Sequence, residues 1–200
     1  MVRKEGTRSI SKMWIFCEGE KTEIHYFNHL KSDLRIRKLQ IKVNSSDDKN
    51  ALGVVKYALN FLKHNRDYVT GDIIACVFDR DQNSQKDLES AKKLASDEGI
   101  EIIFSNPCFE FWILSHFECY KRSLDKEMLQ SKLISSLGQY SKNDHLLYEK
   151  TKEHISDAIK FSKDIISMHE KNGVEIISRD SNPSTLVHQL IEQIHDFGQG

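Results

Sequence analysis

The sequence predicts an α/β protein in which a parallel sheet is flanked by helices, with a helical insertion late in the chain. Two observations carry that reading. The apolar runs KMWIFC, LQIKV, DIIACVFDRD and EIIFS alternate with stretches of helical periodicity. This is the pattern of βαβ units whose strands lie parallel beneath helices on both faces. Between residues 121 and 171 the alternation stops and only helical patterns occur in succession. In parallel sheets of this kind sites collect at the C-terminal ends of the strands, so the residues that end each run matter most.

In chain order, KMWIFC reads as a buried strand, TEIHYFNHL as a helix with Thr22 near its start, and LQIKV as the second strand. Residues 50–66 put Ala51, Val54, Val55, Ala58 and Leu62 on one helical face despite Gly53. DIIACVFDRD is the most apolar strand, closed by the polar turn QNSQ. Next comes a helix with Leu88, Ala91 and Leu94/Ala95 as its inner stripe and Gly99 as its stop. EIIFS is the fourth strand and PCFEFWILSHF a short, very apolar helix. Residues 121–171 hold SLDKEMLQSKLISSL, the polar stretch GQYSKNDHLLYEK and a long helix from TKEHISDAIKF onward. VEIIS is expected to return to the sheet as a strand, before a last helix in NPSTLVHQLIEQIHDF. The implied organisation is a basic segment at 1–12, a core at 13–120, the insertion at 121–171, and a returning strand and helix at 172–200.

With 200 residues, 38% hydrophobic and 30% charged, the chain has the make-up of one soluble globular unit. No apolar run approaches the roughly 18 residues of a membrane helix. The N-terminus lacks the long apolar region of a secretory signal, so a cytoplasmic location without membrane contact is expected. The four cysteines form no C-x-x-C pair and are expected to be reduced thiols. A formal net charge of −1 leaves nucleic-acid binding open, because binding depends on where charge lies. The basic stretches in residues 1–12 and in KSDLRIRKLQIK fit either a solvated face or a phosphate-contacting surface. No Walker A, GxGxxG or GxSxG motif is present, which argues against an intrinsic nucleotide-driven motor, dinucleotide binding and an α/β-hydrolase.

The chemistry-bearing residues gather at strand ends. Glu18 ends the first strand, and in VFDRD the side chains of Asp79 and Asp81 point to the same side of an extended backbone. Parallel strands bring like ends together. Three carboxylates meeting there repel and raise one another's pKa unless a cation neutralises them, and an all-oxygen set favours Mg²⁺ or Mn²⁺. Gly19 allows a sharp turn and close approach of a phosphate. Glu23 either complements a helix N-terminus or joins the site. Glu110, in the apolar FEFWIL, needs a metal or a basic partner if buried. Lys21 is a phosphate contact or a solvated lysine. Both prolines of the chain lie in Ser-Asn-Pro turns that lead to helices, with Pro107 and Pro183 expected in the first helical turn. Helix N-termini attract phosphate. Asn106, Asn182 and Ser184 on these turns, with Arg80 between the two aspartates, are therefore the candidate nucleic-acid contacts.

In order, CEGEKTEIHYF, VFDRD, SNPCFEFWILSHF and NPSTLVHQL resemble the signature blocks of the RloB family, over nearly the whole chain. RloB-like proteins look like Toprim-fold proteins, a fold shared with topoisomerases, bacterial primases and overcoming-lysogenization-defect nucleases. The resemblance implies a Toprim-like (Rossmann-like) parallel sheet, with Glu18 as the Toprim glutamate and Asp79 and Asp81 as the metal-binding pair. It also implies a bacterial anti-phage or abortive-infection setting with an ATPase partner. A related Toprim effector, in the PARIS defence system, cleaves tRNA. The chain carries neither the catalytic tyrosine domain of topoisomerases nor the zinc module of primases. The expectation is an Mg²⁺- or Mn²⁺-dependent endonuclease acting on RNA, such as tRNA, rather than DNA, in a chain able to form a homodimer. Glu18, Asp79, Asp81 and Lys21 are its catalytic candidates, and Glu18, Asp79, Asp81, Glu23 and Glu110 its metal ligands. The competing expectation is a non-catalytic Toprim scaffold that senses a phage component or docks to the ATPase.

Overall fold

A computed structural model describes residues 12–19, 21–43, 49–81 and 83–199. Apart from Lys12, the basic segment expected at 1–12 lies outside them. The elements run β1 (Met13–Cys17), α1 (Thr22–Asp33), β2 (Leu39–Val43), α2 (Ala51–His64), β3 (Ile73–Asp79), α3 (Gln85–Glu98), β4 (Glu101–Asn106) and α4 (Glu110–Ser115). They continue with α5 (Lys126–Leu137), α6 (Leu147–Thr151), α7 (Ile155–Lys171), β5 (Ser184–Thr185) and α8 (Val187–Gln199). The sheet order is β2-β1-β3-β4-β5. The first four strands are parallel and β5 is antiparallel to β4. This mostly parallel sheet flanked by helices is consistent with the Rossmann-like and Toprim-like arrangement.

Alternation along the central strands divides the core. Met13, Ile15 and Cys17 of β1 and Ala75 and Val77 of β3 face one cluster, shared with α1, α4, α5, α7 and α8. Trp14 and Phe16 of β1 and Ile74, Cys76 and Phe78 of β3 face the other, which α2 and α3 cover. A strand buried on both faces has no polar alternation to show, which is why MWIFC reads as a continuous apolar run. Local chemistry sets several helix ends. The Asn50 side chain accepts from the Gly53 amide at 2.8 Å, and Ser84 and Asp87 form a reciprocal capping box. Gly99 closes α3 in the left-handed conformation, with φ 66°.

The segment 121–171 is helical, with α5 capped by Asp125 through the Met128 amide at 2.8 Å. It does not stand apart. Leu129, Leu133, Leu147, Tyr148, Ala158 and Ile165 join the same cluster as β1 and α1. No helix among the described residues is long and apolar enough to cross a membrane.

Two expectations near the C-terminus are corrected. Residues 174–178 form no strand: 174 and 175 are irregular and bends run from 176 to 180. Ser178 and Ser181 fold the backbone back on itself through hydroxyl bonds to the carbonyls of Glu175 and Ile176. Ile176 and Ile177 are apolar because they pack on the α2/α3 side of the core. The edge of β4 is instead taken by β5, with the Leu186 amide bonded to the Phe104 carbonyl at 2.8 Å. Pro107 and Pro183, both preceded by cis peptide bonds, lie before α4 and α8 rather than in their first turns. Asn106 is accordingly not a helix cap. It ends β4, fully buried, and its amide donates to the Ser178 carbonyl at 3.2 Å and the Arg179 carbonyl at 3.3 Å. Asn182 does similar work, bridging the amide and carbonyl of Leu124 at 3.0 Å each.

Replacing the side chain of Asn106 removes its donor from the carbonyls of Ser178 and Arg179 and empties a fully buried position. Asn106→Ala is expected to destabilise the fold by about 1–3 kcal/mol, read as a lower urea midpoint with an unchanged m-value.

Candidate functional site

Strand register builds the site. Cys17 pairs with Val77, and Val77 with Ile103, so β1, β3 and β4 end side by side. Glu18 emerges from β1 with its amide bonded to the Val77 carbonyl at 2.9 Å. Its Oε2 accepts the Asp79 amide at 3.1 Å. Gly19 lacks a side chain where the Glu23 carboxylate presses against it, and Glu23, in the first turn of α1, is buried there. After β3, Asn83 locks the turn by accepting the Ala51 amide at 2.6 Å and donating to the Asp79 carbonyl.

From the other side come residues of the helical segment. Glu110, first in α4 and buried, accepts the Tyr140 hydroxyl at 2.8 Å and has the Lys142 ammonium at 3.6 Å. The Thr22 hydroxyl donates to the Lys142 carbonyl at 3.2 Å, which ties the α5–α6 loop to the start of α1. Lys126, at the start of α5, pairs with Asp81.

The result is a cleft of about 450 Å³ onto which Glu18, Glu23, Asp79, Asp81 and Glu110 all open, with Lys21, Lys49, Lys126 and Lys142 in its walls. Every residue expected from sequence to act in catalysis or metal binding is among them. Asp79, Cys108 and Glu110 are the tightest group, with ligating atoms all within 4.8 Å of one another. They could hold a metal ion, and Asp79 Oδ1 is shut away from solvent without a hydrogen-bond partner. Such an orphaned acceptor is costly where no cation compensates it.

The electrostatics point the same way. Burial pushes Glu18 up to about 7, with Glu23 adding to the rise and the Asp79 amide opposing it. Burial, then Glu110, pushes Glu23 up to about 7. Asp79 is held well above the ordinary carboxylate range by burial and then by Glu23, Glu110 and Glu18. Burial, then Glu110 and Asp79, also raises the Cys108 thiol. Lys142 is raised, chiefly by Glu110.

The nucleic-acid candidates are placed differently. Arg80 lines a neighbouring cavity of about 590 Å³, together with Asp81, Asn106, Lys126 and Asn182. Asn106 and Ser184 are fully buried, and Ser184 bonds the Ser181 hydroxyl at 3.1 Å. Neither presents its side chain to the surface, because both serve the junction of β4 and β5. Sequence reasoning missed Cys108, Lys126, Tyr140 and Lys142. Cys108, two residues before Glu110, was within reach of a motif search. The other three lie far along the chain, and no spacing announces them.

Two carboxyls at about 7 in the fold, against an ordinary 4.5, hold protons that the unfolded chain releases. Their contribution to stability is therefore present below about pH 4.5 and is lost as pH rises through about 7. Glu23→Gln removes part of that loss. Without divalent metal, its melting temperature is expected to gain on wild type as pH rises from 5 to 8. A constant difference between the two proteins across that range would contradict the assignment.

A family model described as RloB-like protein matches residues 13–194. Comparisons with curated proteins and with solved structures found no match. The matched span opens on the first residue of β1, runs into the last helix and contains the whole cleft, and the chain belongs to the RloB-like protein family.

Proposed function

We propose that this chain is an Mg²⁺- or Mn²⁺-dependent nuclease, the effector of a bacterial anti-phage, abortive-infection system, cutting RNA such as tRNA alongside an ATPase partner. One observation carries the reading: five carboxylates and four lysines share one cleft at the strand ends. The RloB-like family is consistent with a defence role. Oxygen donors, an orphaned Asp79 Oδ1 and mutually raised carboxyls fit a hard divalent cation.

Asp79 and Glu110, with Cys108 beside them, would hold that cation. Bound there, it would neutralise charge developing on a phosphodiester. The chain's own side chains do the rest. Lys21 and Lys142 offer ammonium groups to phosphate oxygens, and Lys126 couples that role to Asp81. Glu18 takes the position to accept a proton from the attacking water, whose oxygen bonds to phosphorus as the P–O ester bond breaks and the leaving ribose oxygen takes a proton from solvent. The Glu18 carboxyl sits near neutrality and its orientation is fixed by the Asp79 amide. Tyr140 holds Glu110 in place.

A second reading is a scaffold that senses or docks without chemistry, through the helical segment whose Lys126 and Lys142 wall the cleft. RNA and DNA pools incubated with the purified chain separate the two readings, with and without the ATPase, in Mg²⁺, Mn²⁺ or EDTA. Cutting is expected with metal only and should fall by on the order of 10² or more in Asp79→Ala. Cutting that survives EDTA or this substitution defeats the mechanism, and toxicity that persists in a folded Glu18→Gln variant supports the scaffold.

Thermal melts give an independent reading. At a metal concentration near 100 Kd the folded state gains about 2.7 kcal/mol. Asp79→Asn should raise the metal-free melting temperature by relieving repulsion, and should lose most of the metal-dependent gain. A gain as large in the variant as in wild type would place the metal elsewhere.

A further inference from the structure

Beside the carboxylate cleft lies a second chamber of about 400 Å³. The two share Glu110, Lys126 and Lys142 as common wall. We infer that this chamber takes one unstacked nucleobase from a single-stranded segment of the substrate. The inference rests on the nuclease reading and deepens it.

The lining suits a base. Leu129 and Leu133, buried on α5, give an apolar floor. The Tyr140 ring forms one side, fixed by its hydroxyl bond to Glu110. An aromatic face so held stacks any base at little cost in side-chain freedom. Gln130, one turn beyond Lys126 on α5, is exposed and lines the chamber. Its amide both donates and accepts, as the edge of a base requires.

Position and size agree with this occupant. A phosphate gripped by Lys126 and Lys142 at the shared wall leaves its nucleoside at the chamber mouth. The volume lies at the small end of ligand pockets, room for one base and not for a duplex. Bases inside a duplex cannot enter without leaving the stack, so the chamber selects loops, ends or extruded positions, where most sequence-specific RNA recognition occurs.

The test uses the full chain with Ca²⁺ in place of Mg²⁺, a short single-stranded oligoribonucleotide, and copies each carrying one abasic position. Fluorescence anisotropy is expected to find one position whose base loss weakens binding on the order of tenfold. Tyr140→Phe keeps that preference and Tyr140→Ala loses it. Gln130→Trp fills the chamber from the exposed face of α5 without touching the Tyr140–Glu110 bond, and it too should abolish the preference. Equal binding of all copies by wild type overturns the inference, as does a preference untouched by Gln130→Trp or no binding of any copy. Cleavage assays keep the two readings apart. A chain that cuts with Mg²⁺ but ignores base loss retains the nuclease and loses the chamber. One that reads the base yet never cuts retains the chamber and loses the nuclease.

Discussion

The parallel register of β1 against β3 is the constraint on which the rest depends. It sets Cys17 opposite Val77, so the next residue on β1 must lie beside the end of β3. The Glu18 amide completes the ladder through Val77, and its carboxylate closes on the Asp79 amide. A slip of one residue would turn every side chain of β1 to the opposite face. That would exchange the Ile15 and Phe16 sides of the core and move Glu18 away from Asp79. The same packing that makes the sheet stable therefore aims the acidic groups.

This register concentrates like charge at the strand ends, and the fold tolerates it by partial neutralisation. Glu110 has Tyr140 and Lys142, and Asp81 has Lys126. Glu18 has a backbone amide, while Asp79 keeps one oxygen without a partner. All three neutralising side chains come from the segment between α4 and α7. That segment is anchored by Leu129, Leu133 and Tyr148 in the core it shares with β1. It is thus a wall of the site as well as a cover for the sheet.

The range of each interaction decides how much of this could be read from the sequence. The first four strands and α1 to α3 were legible because their signals are local, as in the continuous apolar run of MWIFC or the inner stripe of Leu88, Ala91 and Ala95 ended by Gly99. The acidic set was legible because strand ends in a parallel sheet converge wherever the chain goes between them. VEIIS misled because Ile176 and Ile177 are apolar for packing, and an apolar run alone cannot separate a strand from a buried bend. Asn106 misled because a capping residue and a buried junction residue use the same amide, and only the neighbouring carbonyls of Ser178 and Arg179 distinguish them. Lys126, Tyr140 and Lys142 meet the carboxylates through tertiary packing alone, which no periodicity encodes.

The first residue of α5 belongs to the walls of three cavities at once: the cleft, the chamber beside it and the hollow under Arg80. Lys126 is therefore a junction, and its replacement by a neutral residue would alter charge in all three compartments while freeing Asp81. A single phenotype from such a change has no unique cause. Dissecting this molecule calls for substitutions that touch one compartment only, and α5 offers two of them further along, where Gln130 lines the chamber and Met128 the hollow.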